Sequence, residues 1–486
     1  MTPAWYAIYQ VVLVRTNSVV LVYFLFVNTF YFVLLVSAAW GLRQHLLNTR
    51  GETRWRVLGS RVAPRISVLV PAYNEVATVS ENVRSLLTLY YPNLEVVLVN
   101  DGSTDETLAV LVKEFELVPV HPIYRYQVKT KPVRDLYLSR THPNLVVVNK
   151  ENGGKADALN AGLNLATGKL VCAIDADSLI EADALQRMVR PFLASDQVVA
   201  AGGTVRVANA SVVKGGRVVE PHAPRRPLPG FQVVEYLRAF RFGRLGWNNL
   251  GDNLIISGAF GLFSRQAMID IGGYERATVA EDFEIVVRLR RHAYDQKTPH
   301  RVIFTPDPIA WTEVPESLRV LARQRDRWHR GLAEVLWRHR RLLFNPAYGT
   351  MAMVPFPYFV FLELLAPVLE ALGLAALTLA LIVGAVDARF AVLFFLCAYG
   401  YGLILGVFAL LLDEMSYRRY EQVNDRLILL GWALLENCGY RQLTVFWRLK
   451  GLIKFLRGKT DWGAMERRGF QRPAAHQALA RGKRLS

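Results

Sequence analysis

The sequence predicts an α/β fold: a mostly parallel sheet covered by helices, forming a cytoplasmic domain inserted between transmembrane and interfacial α-helices. Three observations carry this prediction. Apolar runs without charge lie near the N-terminus and again beyond Met351, strand-like and helix-like segments alternate from Arg65 to about Asp282, and Lys and Arg gather beside the second apolar zone.

The chain has 486 residues, 52% of them hydrophobic, which is too long for one small module and too apolar for an ordinary soluble enzyme. Its 58 Lys and Arg against 41 Asp and Glu give a net charge of +17. That excess concentrates in interfacial and tail segments, where it suits an anionic membrane surface, so no nucleic acid is expected as a partner. Cys172, Cys397 and Cys438 have no repeating spacing, which excludes a disulfide framework and a Cys-rich zinc site and favours a reducing compartment.

The first element is an anchor within residues 1–50. No charge interrupts Arg15 to Arg43, and Ser18–Trp40 is apolar almost throughout. A helix crosses a bilayer with roughly 20 such residues, whereas a signal-peptide core has about 7–15, so an uncleaved anchor is expected.

The soluble middle is assigned to residues 51–310. Its first strand, Ile66–Val70, is apolar as a doubly covered central strand should be, and Pro71 stops the ladder where a loop opens. A helix over Val79–Leu89 follows. The next strand ends at Asn100-Asp101-Gly102, with Ser103 and Asp105 available to cap a helix near Glu106. A third strand precedes Gly153-Gly154, a tight turn from which Lys155 enters a helix starting about Ala156. The fourth strand emits Asp175 and Asp177. Strand alternation puts both carboxylates on one side, and two converging anions call for a cation; hard oxygen ligands suit Mg2+ or Mn2+ with a diphosphate. Each motif alone has a plainer reading as a turn or a capping acid. Their order changes the weights, because all four lie at successive strand ends of one sheet, where such folds bind nucleotides.

Residues 311–350 are expected to form interfacial helices and 351–458 transmembrane and re-entrant ones. Glu363 and Glu370 interrupt the run from Met351 to Val386 and should face protein, water or the interface. Arg389 to Asp413 is charge-free and reads as a span, while the piece near 427–446 reads as re-entrant or interfacial, giving three crossings. The stretch Lys214–Gly230 reads as a surface loop. Residues 459–486 are expected to form a basic cytoplasmic tail, with Trp462, Glu466, Arg467 and Arg468 expected to pack on or near the soluble domain.

In order, VPAYNE, VNDGSTDET, NGGKADALN, DAD, AED and QRDRW resemble the membrane-embedded processive family 2 glycosyltransferases, related to cellulose, chitin, hyaluronan and poly-N-acetylglucosamine synthases. The resemblance runs from about Arg65 to Trp328. It implies a GT-A nucleotide-sugar-binding fold, inverting transfer from a UDP-sugar (UDP-GlcNAc or UDP-glucose) and Mg2+ or Mn2+. Tyr73 and Glu75 match the uridine-contacting loop and Asp101 the acid that reads the uracil edge. Lys155, Asp157 and Asp175 fall on the nucleotide side, Asp177 matches the metal-touching acid and Asp282 the general base. Gln324, Arg327 and Trp328 match Q-x-x-R-W beneath the site, and Ser257 and Gly258 the acceptor-side loop.

The chemistry asks for the same residue types: a carboxylate to take the acceptor's proton, cationic groups for the leaving diphosphate, and an indole face for sugar C–H bonds. Glu281-Asp282 also fits the first turn of a helix, and Arg325 and Arg330 read as lying on anionic headgroups. The partners expected are a UDP-sugar, the growing polysaccharide chain, membrane lipid and accessory export or regulatory subunits. No cyclic-dinucleotide-binding domain is expected after the last basic segment. Two other functions compete: non-processive transfer of sugar to a membrane lipid, and a non-catalytic scaffold, the latter disfavoured by intact Asp101, Asp177, Asp282 and Trp328.

Overall fold

The computed structural model describes residues 3–49, 63–251, 253–382, 400–417 and 419–458, with 389, 392, 393 and 396. The stretch 50–62, much of the expected span after Arg389 and the tail from 459 lie outside the described residues. The chain divides into two units, one from 45–225 and 252–314, the other from 1–44, 226–251 and 315–463.

The first unit is built on a ten-stranded sheet. Its strands are β1 (Ile66–Ala72), β2 (Leu94–Asn100), β3 (Leu117–Val120), β4 (Val133–Ser139), β5 (Leu145–Lys150), β6 (Leu170–Ala173), β7 (Leu179–Ile180), β8 (Val198–Val207), β11 (Gly261–Ser264) and β12 (Arg301–Thr312), in the order 3-4-5-2-1-6-11-8-12-7. A separate hairpin pairs β9 (Val212–Lys214) with β10 (Arg217–Glu220). The central strands β5, β2, β1 and β6 are mutually parallel, and all seven residues of β2 are buried, as doubly covered strands require. Their carboxyl ends release the four motifs at one edge. Antiparallel strands extend the sheet on both flanks, β4 beside β5 and β11 beside β6. Beneath it, Leu69, Val97, Val99 and Val171 pack with Leu159 and Leu163 of the helix Lys155–Leu165 and with Ile285, Val286 and Leu289 of the helix Glu281–Asp295.

The stretch expected as a loop after Lys214 is in fact the second half of the hairpin followed by the helix Pro227–Leu237. That helix belongs to the other unit, although the sequence assigns it to the soluble middle. It is fixed there by Glu235, which accepts from Arg325 at 2.7 Å and from the Tyr440 hydroxyl at 2.9 Å, and by Phe231 against the Tyr440 ring. Just beyond it, Arg238 forms a bidentate pair with Glu436 at 2.6 and 2.7 Å.

Two helical stretches, Arg15–Thr49 and Pro355–Ile382, are long and apolar enough to cross a membrane. Of the third expected crossing, the described part is the helix Tyr401–Tyr417. The helices Val423–Leu435 and Tyr440–Leu456 have 13 and 17 residues, short of the roughly 20 a crossing needs. Glu363 and Glu370 face protein as expected: Glu370 takes a bidentate pair from Arg441 at 2.9 and 3.1 Å, and Glu363 accepts from Tyr358 at 2.8 Å and lies 3.4 Å from Arg448.

Candidate active site

Asp101 leaves the end of β2 almost completely buried, and its carboxylate is the anchor of the glycine turn. It accepts from the Gly153 N–H at 3.0 Å, the Gly154 N–H at 2.7 Å and the Lys150 ammonium at 2.6 Å. Gly154 sits at φ +86°, a conformation L side chains avoid, so this turn needs glycine there. Lys150 is fully buried and also reaches Asp157 at 2.7 Å. Asp157, in the first turn of the following helix, further accepts from Lys131 N–H at 3.0 Å and Arg276 at 2.9 Å. Burial alone would raise its pKa, but hydrogen bonds from Lys150, Lys131 and Arg276 outweigh it and hold the carboxyl below its ordinary value. Asp101 and Asp157, expected on the nucleotide side, together brace the glycine turn and the first turn of the helix that Lys155 begins.

Lys155 reaches Asp175 at 2.6 Å and Glu281 at 3.1 Å. Burial pulls its pKa down, yet Asp175, Glu281 and Asp282 more than offset that, and the ammonium holds its proton above the ordinary lysine range. Asp282, in the first turn of its helix, accepts from Gly258 N–H at 3.0 Å through Oδ2 and from Phe283 N–H at 2.9 Å through Oδ1. A Cβ on Gly258 would lie 3.1 Å from the Lys155 Nζ and 3.4 Å from Asp282, so the absent side chain leaves room for both. Lys155, Ser257, Gly258, Tyr274, Glu281 and Asp282 line a small recess floored by Leu159, Ala173, Ile256 and Phe263. Burial keeps the Tyr274 hydroxyl protonated.

Asp175 and Asp177 are partly exposed on the turn after β6. Among the described residues no three or more His, Cys, Asp or Glu gather into a self-sufficient metal centre. The donor set fits the other arrangement, in which one or two carboxylates hold a hard cation and phosphate oxygens of a substrate complete its shell. Tyr73 is half exposed in the loop after β1. That loop is tied to the one after β2: Asn74 N–H donates to Ser103 Oγ at 3.0 Å and Glu75 N–H to Thr107 Oγ1 at 3.0 Å. Ser103 is therefore spent between loops, and only Asp105 serves the next helix, accepting from Thr107 N–H at 3.0 Å.

Gln324, Arg327 and Trp328 lie in the other unit on the helix Leu318–Arg338, capped by Ser317. Gln324 is buried, Arg327 half-buried and Trp328 exposed, with the Arg325 guanidinium 4.6 Å from the indole centroid. Arg325 and Arg330 do not lie on headgroups; both are buried, and Arg325 is consumed by Glu235. Sequence reasoning missed Lys150 and Asn82. Lys150 stands as the last residue of a strand, the one local signal it offers; Asn82, buried on the helix Val79–Leu87, offers none.

Against known families, residues 67–272 match glycosyl transferase family 2 and residues 170–405 match glycosyl transferase family group 2. The poly-beta-1,6-N-acetyl-D-glucosamine synthase of Staphylococcus epidermidis is 30% identical over 273 residues, 56% of this chain and 56% of that protein. The synthase of the same name from Staphylococcus aureus strain COL is 27% identical over 295 residues, 61% of this chain and 59% of that protein. The match thus spans a little over half the length of these curated relatives. A mannosyltransferase from Pyrobaculum calidifontis, solved with GDP-Man and Mn2+, superposes with a TM-score of 0.53 at 20% identity over 91% of this chain and 100% of that one. The shared fold is GT-A.

Proposed function

With residues 67–272 belonging to glycosyltransferase family 2, we propose that the protein is a processive inverting hexosyltransferase. It polymerises a β-linked polysaccharide from a UDP-sugar, UDP-GlcNAc before UDP-glucose, at the cytoplasmic face, and passes the chain across the membrane. The observation that carries this reading is the Lys155 ammonium joining Asp175 of the D-x-D turn to Glu281, directly beside Asp282. Lys155 thereby bridges the diphosphate end and the base end of the proposed reaction. The names of the relatives support the choice of N-acetylglucosamine.

Asp282 takes the proton of the acceptor hydroxyl as its oxygen bonds to the sugar C1. The C1–O bond to the diphosphate breaks as that bond forms, and UDP leaves with the electron pair. Two backbone N–H groups aim the Asp282 carboxylate, so the base needs no reorientation. Lys155 supplies fixed positive charge on the leaving-group side, and Tyr73 offers a ring to the nucleobase. Asp177, with Asp175, would hold Mg2+ or Mn2+, which when bound neutralises charge on the departing diphosphate. On the other unit, Arg327 and Trp328 carry residue types this reaction asks for, a planar fork for phosphate oxygens and a face for a sugar.

The test is purified protein in lipid nanodiscs with a panel of radiolabelled UDP-sugars and Mn2+ or Mg2+, followed by sizing of the products. A long product cut by one specific glycosidase is expected. A single sugar on extractable lipid would overturn the synthase reading.

A further inference from the structure

The turn Asp175–Ser178 carries both acids of the D-x-D pair and is closed internally by the Ser178 N–H to the Asp175 carbonyl at 2.9 Å. One buried side chain from another element grips it. Asn82, 3% exposed on the helix Val79–Leu87, donates through Nδ2 to the carbonyl of Ala176 at 2.7 Å and to that of Ser178 at 3.1 Å. Two acceptors on one nitrogen fix which end of the amide faces the turn, since the flipped amide would set Oδ1 against two carbonyl oxygens. The bonds bracket Asp177, with one acceptor on the residue before it and one on the residue after.

The helix that carries Asn82 is itself pinned by the hairpin of β9 and β10. Gly216, at φ +69°, donates its N–H to Glu81 at 2.9 Å, and a Cβ there would lie 2.5 Å from the Ser85 Cβ. Arg217 donates to the Thr88 carbonyl at 2.7 Å and to its hydroxyl at 2.8 Å, closing the helix from its far end. Val213 and Val218 then root the hairpin on Leu179, Ala208, Ile309 and Trp311, and Leu179 belongs to the strand that directly follows the turn. Hairpin, helix and turn thus form one closed circuit around the two acids.

We propose that Asn82 is a positioning residue for Asp175 and Asp177 toward a divalent cation and a nucleoside diphosphate, and that the hairpin Val212–Glu220 holds it in place. This rests on the metal-dependent transferase reading above. A carboxylate pair binds a small hard cation only if its oxygens stay where the cation's geometry demands, and Asn82 restrains the backbone that sets them.

The experiment is thermal unfolding of the full chain in nanodiscs against Mn2+ concentration at fixed UDP. For the wild type, the midpoint temperature should rise with Mn2+. Asn82→Leu should move the half-saturating Mn2+ concentration up by about tenfold or more, as loss of outer-shell partners does. Asn82→Ser, which keeps a donor, should recover part of the shift, and Gly216→Ala should reproduce a smaller one from a distance. Leu111→Ala, a core truncation elsewhere in the same unit, should lower the melting temperature yet leave the Mn2+ midpoint alone, separating positioning from general weakening. A responsive wild type with an unmoved Mn2+ midpoint in Asn82→Leu overturns the inference alone. Should that variant fail to fold, unmoved midpoints in Asn82→Ser and Gly216→Ala do the same. A wild type indifferent to Mn2+ and UDP overturns the underlying reading with it.

Discussion

At the scale of single residues, charge inside the first unit is allotted in pairs. Lys150 is fully buried between Asp101 and Asp157, and removing it takes a cation from both, leaving Asp101 with backbone N–H donors and Asp157 with Arg276 and the Lys131 N–H. Lys150→Met should cost about 3–5 kcal/mol of stability, read by denaturant unfolding. Asp157 makes part of that stability pH-dependent. Its folded-state pKa lies below the unfolded value, so its contribution is complete above the ordinary carboxylate range and is lost as pH falls through the depressed value. Asp157→Asn should accordingly flatten the acid limb of the melting-temperature profile. Asp282→Asn should reduce transfer at least about 100-fold while leaving UDP affinity unchanged, measured by product formation and by calorimetry. Much of this site is legible in the sequence because Asp101, Lys155, Asp175 and Asp282 each stand in a local motif. Asn82 and Lys150 are not, since their partners Ala176 and Asp101 lie 94 and 49 residues away and nothing local announces the contact.

At the scale of elements, Pro71 does not stop its strand as expected: β1 continues through it to Ala72, with Pro71 opposite Val99. The parallel centre of the sheet still follows from hydrophobic runs and the Gly153-Gly154 turn. The flanks do not. Strand β11 is four residues long and pairs with β6 and β8, which are distant in sequence, and β3 carries Pro119 at an edge where no ladder partner is demanded of it. In the helical unit, the helices Leu318–Arg338 and Tyr440–Leu456 meet at Gly451, where a Cβ would stand 2.5 Å from the Asp326 carbonyl oxygen. Gly451→Val should force them apart, lowering stability by about 1–3 kcal/mol and disturbing the helix that bears Arg327 and Trp328. On the same helix, burial and the neighbouring Arg448 hold the His329 pKa down, from 6.5 to about 3. The unfolded chain therefore binds the extra proton between those values, and stability falls as pH drops through that window. His329→Gln should remove that part of the slope in a pH series of melting temperatures.

At the scale of the whole molecule, the chain joins a unit built on the ten-stranded sheet to one with two helices suited to crossing lipid. The protein should stay with membranes through an alkaline wash and leave them only in detergent, which fractionation and immunoblotting would check. The alternation of apolar and mixed segments made this division legible, except at residues 226–251. Their helix looks like part of the soluble middle until Arg238 and Glu235 find partners at Glu436, Arg325 and Tyr440.

The pairing of Glu370 with Arg441 and of Glu363 with Arg448 bears on how the chain is made. The glutamates leave the ribosome 71 and 85 residues ahead of the arginines that neutralise them. Tyr358 can already donate to Glu363 in the nascent segment, but neither glutamate has its cation, so the segment is a poor candidate for release into lipid by itself. Its insertion should therefore await translation of the C-terminal helices, and a ribosome stalled before Arg441 should leave an intermediate that stays with the insertion machinery or is removed by quality control.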